Sequence, residues 1–120
     1  MSFSNSPTQA AVEMERWGKD HWSLLGYLYT LAMDGKHEVD ERRMRGDGAA
    51  YPTRLRHGEE ARDHDDWNCM EDLEAAGLIN FISRVNGFFA FEERGLKLAA
   101  KLAQHKARGG SFSDFMSSKR

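Results

Sequence analysis

The sequence predicts an α+β domain in which a helical core runs into a β-hairpin and then into a closing helix. Three stretches carry this. Asp72-Leu73-Glu74-Ala75-Ala76-Gly77-Leu78-Ile79 reads as a helix stopped by glycine, after which the chain turns at once into an apolar strand. Asn86-Gly87 lies between two aromatic-rich runs, and because both residues accept positive φ it predicts a type I′ hairpin turn. Glu93-Arg94-Gly95-Leu96-Lys97-Leu98-Ala99 then returns to helical spacing.

Caps and apolar spacing set the earlier elements. Ser6-Pro7-Thr8-Gln9 offers an N-cap, a proline for the first helical position and a Gln for a capping box, so a helix is expected from there. Ala10, Met14 and Trp17 give it an apolar stripe, and Gly18 breaks or bends it. A second helix is expected over 20–33, with Leu24, Leu28 and Leu31 on one line and Trp22, Leu25 and Tyr29 beside it. So wide an apolar face implies more than one packing neighbour. Gly35 stops this helix. His37-Glu38-Val39 reads as a short strand, and Asp40 as the cap of a short helix through Arg42, Arg43 and Met44.

Residues 46–62 keep no period, and Gly46, Gly48, Pro52 and Gly58 mark them as loop. A loop of that length in a small domain is either functional or a sign of missed structure. Asp63 is placed to cap a helix over 64–76 that turns Trp67, Met70 and Leu73 inward. Strands at 79–85 and 88–92 precede a helix over 94–107 whose stripe is Leu96, Ala99, Leu102 and Ala103. One domain over 6–107 is expected, with flexible ends at 1–5 and 108–120, although Phe112, Phe115 and Met116 are apolar for an inert tail.

Over 63–103 the residues resemble winged-helix regulators of the MarR and PadR kind. The likeness is most specific in Leu73-Glu74-Ala75-Ala76-Gly77-Leu78-Ile79 and Glu92-Glu93-Arg94-Gly95-Leu96. It extends over about 20–107 and implies an α+β winged helix, here with an extra N-terminal helix. It also implies that 63–76 is the recognition helix and 79–92 the wing. The loop at 46–62 departs from that pattern, which joins the second and third helices by a short turn.

Composition narrows the function. A chain of 120 residues fits one domain. With 17 Lys+Arg against 19 Asp+Glu the formal charge is −2, without the basic surplus that phosphate contacts favour in a small DNA binder. Cys69 is the single cysteine, which excludes an internal disulfide and a Cys-based metal cluster. No cofactor and no metal are expected. Met1–Ser6 lacks the basic start and apolar run of a signal peptide, and no segment reaches the ~20 apolar residues of a membrane span. The expected location is cytoplasmic, with no membrane partner.

The expected recognition helix is loaded with acid. Asp63, Asp65, Asp66, Glu71, Asp72 and Glu74 fall within 63–76, which has no Lys or Arg. First-turn acids complement the helix dipole, but Glu71, Asp72 and Glu74 lie too far along for that. In a major groove these carboxylates would meet phosphates. Asp65, Asp66, Glu71, Asp72 and Glu74 are therefore the candidate partner-binding face, and replacing Asp65, Glu71, Asp72 and Glu74 with Lys is expected to leave the fold intact.

A basic group, Arg42, Arg43, Arg45, Arg54, Arg56 and His57, either balances that face or makes its own contacts. Arg54, Arg56 and Arg84 are the candidate nucleic-acid contacts. Trp17, Trp22, Tyr27, Tyr29 and Trp67 are expected in the core. Phe81 and Phe91 alternate oppositely to Phe88, and such a two-faced hairpin points to homodimerisation or docking.

No catalytic residue is expected. His64-Asp65, with His37 or His57 upstream, resembles the metal-binding pair of HD-type phosphohydrolases, but a hairpin follows too soon for that helical fold. His64 reads as a surface or capping residue, and His21 and His105 as isolated helical histidines. Cys69 sits among acids, which raise a thiol pKa and do not activate it. No phosphate-binding loop is present. In size and in its acidic helix the chain resembles small phage and mobile-element proteins, among them host-defence inhibitors that engage basic nucleic-acid-binding surfaces through winged helices. The leading expectation is thus a non-enzymatic module for a protein partner with a basic surface. A dimeric regulator binding duplex DNA is the alternative, and an HD-type enzyme comes third.

Overall fold

The computed structural model describes residues 11–40, 53–61 and 64–116. Among these, three α-helices, α1 (Lys19–Met33), α2 (Asp66–Ala75) and α3 (Glu93–Ala107), combine with two antiparallel two-stranded sheets. One sheet pairs β1 (Thr53–Arg54) with β2 (Glu60–Ala61); the other pairs β3 (Ile79–Ser83) with β4 (Phe88–Phe91). The arrangement is α+β and compatible with a winged helix.

The wide apolar face of α1 is satisfied from two sides. Trp22, Leu24, Leu25 and Leu28 are buried, and the helix packs against both α2 and α3. The N-cap of α2 is Asp65, while Asp63 lies outside the described residues. Asp65 accepts from the Asn68 N–H and the Asn68 side chain accepts from the Asp65 N–H, both at 3.0 Å. Asn68 so fills the role that Glu or Gln usually takes in a capping box.

Met70 and Leu73 are fully buried, while Trp67 is half-buried with its ring against Phe81. Leu73→Ala is expected to cost about 2–5 kcal/mol, the range for truncating a buried leucine. A denaturant midpoint shifted no more than by a surface substitution would show that α2 faces the other way. The helix ends at Gly77 (φ +82), with Leu78 N–H bonded to Leu73 O and Gly77 N–H to Glu74 O. That is a Schellman ending.

The β3–β4 hairpin forms, but not through a type I′ turn. Arg84–Gly87 make a four-residue connection in which only Gly87 has positive φ, at +73, and the register shifts between Phe81 and Ser83. The Asn86 amide bonds the Ser83 hydroxyl at 3.1 Å. The short strand expected at 37–39 is a single bridge, Glu38 to Phe88. Val39 N–H donates to Gly87 O at 3.1 Å, and this docking holds the turn. Phe89 is buried, whereas Phe88 turns outward against the His37 ring.

Four further expectations need correction. The N-terminal helix does not run through 11–17: residues 11–13 are not helical, and Met14–Arg16 form one 3-10 turn. Tertiary partners take the polar groups a helix would use, since Trp17 Nε1–H donates to Val12 O at 2.8 Å and Val12 N–H donates to Asp72. The loop expected at 46–62 contains the β1–β2 hairpin, which closes around a 3-10 turn at Arg56–Gly58. On α3 the buried residues are Gly95, Ala99 and Leu102, so Leu96 and Ala103 face outward.

Finally, the expected flexible tail is packed as far as Met116. Phe115 is buried with its ring edge-on to Trp22 at 4.9 Å, and Phe112 lies under the Lys106 ammonium. The helix start at 6–9, the short helix after Asp40, Arg42, Arg43 and Arg45 lie outside the described residues.

Candidate functional site: a buried histidine–aspartate–histidine cluster

The first turn of α1 carries His21 inward, because it precedes Leu24, Leu25 and Leu28 by three, four and seven residues on the same apolar line. The ring is fully buried, with Trp17 stacked on it at 4.9 Å and 4°. On α2, Asp72 lies one turn beyond Cys69, and both are buried. His64 precedes the helix, 14% exposed. Thr53 on β1 is buried beside it.

Asp72 is the hub. Its Oδ2 accepts from His21 Nε2 at 2.7 Å and from His64 Nε2 at 2.9 Å, and its Oδ1 accepts from Val12 N–H at 3.1 Å. On the far side of the His64 ring, Nδ1 is 2.8 Å from Thr53 Oγ1 and 3.8 Å from Cys69 Sγ. The Thr53 hydroxyl also donates to the His64 carbonyl and lies 3.8 Å from Cys69 Sγ. The cluster thereby ties the N-terminal segment, α1, β1 and α2 together.

The electrostatics follow from burial and these bonds. Burial pushes the Asp72 carboxyl up, but hydrogen bonds from His21 and His64, with the charge of His64 and the Val12 N–H, outweigh it and hold the group below its usual range. Burial lowers the His21 pKa despite the opposing bond to Asp72. The site thus favours a carboxylate receiving N–H bonds from a neutral His21. Burial also raises the Cys69 thiol, with Asp66 and Asp72 adding to the shift.

Cys69, His64 and Asp72 stand in the order of a nucleophile, a base and its orienting group. Burial and the raised pKa of Cys69, 3.8 Å from the ring nitrogen, are the opposite of the access and lowered pKa that activate a thiol. Ligand atoms of His21, His64 and Cys69 all lie within 4.8 Å of one another. Both Nε2 atoms bond the same Asp72 oxygen with the ring centroids 5.7 Å apart, so the two Nδ1 lone pairs diverge and cannot meet one tetrahedral ion.

The candidate residues from the sequence are placed differently from one another. Asp65 caps α2, and Asp66 is half-exposed in its first turn. Glu71 and Glu74 pair with Arg84 at 3.3 and 2.9 Å, and Glu74 also accepts from Phe81 N–H. Asp72 is 4% exposed, so it belongs to no partner-binding face, and a lysine there is not expected to leave the fold intact.

Of the expected nucleic-acid contacts, Arg54 pairs with Glu60, while Arg56 donates to the carbonyls of Glu15 and Met116. Arg84, besides its two glutamates, lies over the Phe81 ring at 4.3 Å. The HD-type arrangement is not assembled: His64 bonds Asp72 while Asp65 is a cap, His37 packs on Phe88, and His57 is exposed in the β1–β2 turn.

Sequence reasoning missed the cluster. One signal was available, the position of His21 within the leucine line of α1. Its partner stands 51 residues away and nothing local marks it. No helix among the described residues is long and apolar enough to cross a membrane. Comparison with known proteins finds no matching family model, no similar curated protein and no similar solved structure.

Proposed function

We propose that the chain is a non-catalytic, winged-helix-type interaction module whose α2 and hairpin tip engage a basic protein surface. One observation carries this: an acidic helix side adjoins an exposed apolar tip. Asp66, Glu71 and Glu74 lie on the partly exposed side of α2. Arg84 bonds both glutamates and so brings the tip against that side. Next to it, Val85 is 94% exposed and Ile82 62% exposed. Carboxylates around bare aliphatic side chains suit a protein partner rather than phosphates. A basic nucleic-acid-binding protein surface is the class of partner that fits.

Nothing on this side favours groove reading. Arg84 is engaged by glutamates, and α2 offers no cation of its own to neutralise phosphate. Wild-type protein is expected to give no retardation of pooled genomic duplex fragments at micromolar concentration, at either of two salt concentrations. Changing Asp66, Glu71 and Glu74 together to Lys is expected to keep the fold, at the cost of ion pairs worth ~0–1 kcal/mol each and of the Glu74 bond to the Phe81 N–H. The triple variant should lose a protein partner captured by the wild type and gain salt-sensitive DNA binding. Tight, sequence-selective DNA binding by the wild type would sink this reading and promote the dimeric regulator.

A further inference from the structure

We propose that the buried cluster is an acid-operated latch, in which protonation of His21 parts α1 from α2 and frees the N-terminal segment 12–17. Asp72 Oδ2 serves His21 Nε2 and His64 Nε2 together, and Oδ1 holds the Val12 N–H. At the other end of the segment, Trp17 stacks on the His21 ring and returns its indole N–H to the Val12 carbonyl. Segment 12–17 is thus fastened at both ends to His21 and Asp72.

Two imidazoles on one carboxylate make this fastening sensitive to protons. A single added proton has a place on His64. Thr53 gives its hydroxyl hydrogen to the His64 carbonyl, so its oxygen can accept from Nδ1 of that ring while Asp72 accepts from Nε2. His21 offers no such place. Its ring is fully buried, and its Nδ1 has no hydrogen-bond partner among the described residues. A proton there would be a buried donor with nothing to accept it. It would also set a second charge in the interior, with the ring centroids of His21 and His64 only 5.7 Å apart.

The charged groups around His21 do not reverse this. Burial acts most strongly and lowers its pKa below the ordinary 6.5; Asp72 raises it, His64 lowers it and Asp20 on α1 raises it, leaving the direction unchanged. The Cys69 thiol on α2 stays neutral. From β1 the Thr53 hydroxyl reaches the cluster, while the Arg54 side chain is turned to Glu60. In the N-terminal segment Glu13, Glu15 and Arg16 are exposed.

The direction of the pH effect follows. Below about pH 6.5 the unfolded chain takes up the His21 proton that the latched form refuses, so the latch is closed above that pH and loosens as pH falls. Asp72, held below its usual range, keeps its charge through this window and adds a second loss only at lower pH. Leu25, Leu28, Leu73 and Leu102 are buried and do not titrate, so opening begins at the cluster and leaves them packed.

The test follows the full chain from about pH 7.5 to 4.5 by urea denaturation and by hydrogen exchange. The unfolding constant should rise about three- to tenfold per pH unit below about pH 6, tenfold being the ceiling for one proton. The Val12 amide and the Trp17 indole N–H should lose protection at a higher pH than the amides of α3. His21→Gln keeps an N–H for Asp72 and carries no titrating group, so it should lose most of that slope. Should this variant fail to fold, titration of the wild-type His21 ring by NMR decides, and an ordinary or raised pKa overturns the proposal. A wild-type unfolding constant that moves less than twofold across the range overturns it, as does an unchanged slope in His21→Gln. Loss of protection at Val12, Trp17 and α3 together would mean that acid unfolds the whole domain, and the latch would be overturned.

Discussion

Asp72→Ala is expected to remove roughly 3–5 kcal/mol of stability, while Glu71→Ala, one residue earlier on the same helix, should cost no more than ~1 kcal/mol. The asymmetry comes from what each carboxylate touches. Asp72 accepts from His21, His64 and the Val12 N–H inside the protein. Deleting it strands three donors, and each buried unsatisfied donor costs ~1–3 kcal/mol. The ring donors can reorient and water can enter the cavity, so the total falls below the full sum. Glu71 makes one exposed ion pair with Arg84, a class worth ~0–1 kcal/mol.

Small domains hold only ~5–15 kcal/mol in all, so Asp72→Ala should leave the protein marginal or unfolded at 37 °C. Urea denaturation of the two variants side by side measures the contrast. Equal midpoints would mean that Asp72 lies on the surface with Glu71, as its place in the acidic run suggested.

That pair of residues shows what the sequence discloses. Periodicity, caps and glycines placed α1, α2, α3 and the β3–β4 hairpin within a residue or two at most ends, because each signal is local to the element it marks. The acid run between 63 and 76 was legible as charge, yet among its described members Asp65 is a cap, Asp66 stands in the first turn, Glu71 and Glu74 pair with Arg84, and Asp72 is a buried hub. Which role a carboxylate takes depends on partners from other elements. Asp72 is buried because His21 and Val12 reach it across 51 and 60 residues.

The same holds at both ends of the described chain. Trp17 prefers to stack on His21 over extending a helix, and Phe115 docks on Trp22 when its glycine-rich surroundings suggest a loose tail. Propensity describes the isolated segment, and tertiary contacts decide these positions.

The opposite sign is expected at two helical glycines. Gly26 lies in mid-α1, and a methyl group there would meet Phe112 at 3.4 Å and Leu102 at 3.7 Å, ordinary contact distances. Gly26→Ala should therefore stabilise by about 0.5–1 kcal/mol, the usual gain in a helix interior. Gly95, within α3, is different. A methyl group there would stand 1.9 Å from the Leu78 carbonyl oxygen and 2.7 Å from its carbon. These are backbone atoms at the entry to β3, and the same oxygen accepts the Glu92 N–H at 2.9 Å. Relief would need α3 and β3 to separate by about 1 Å or more, breaking that bond and loosening the contact of Leu78 with the core. Overpacking of this kind costs ~1–3 kcal/mol or somewhat more, which outweighs the helical gain. Gly95→Ala should lose about 3 kcal/mol in a thermal or urea melt. This gives a physical reason for glycine in the Glu93-Arg94-Gly95-Leu96 run, and it explains why the buried stripe of α3 follows Gly95, Ala99 and Leu102. Should Gly95→Ala stabilise the protein as Gly26→Ala does, the close approach of α3 to β3 would be wrong, and with it the placement of the closing helix.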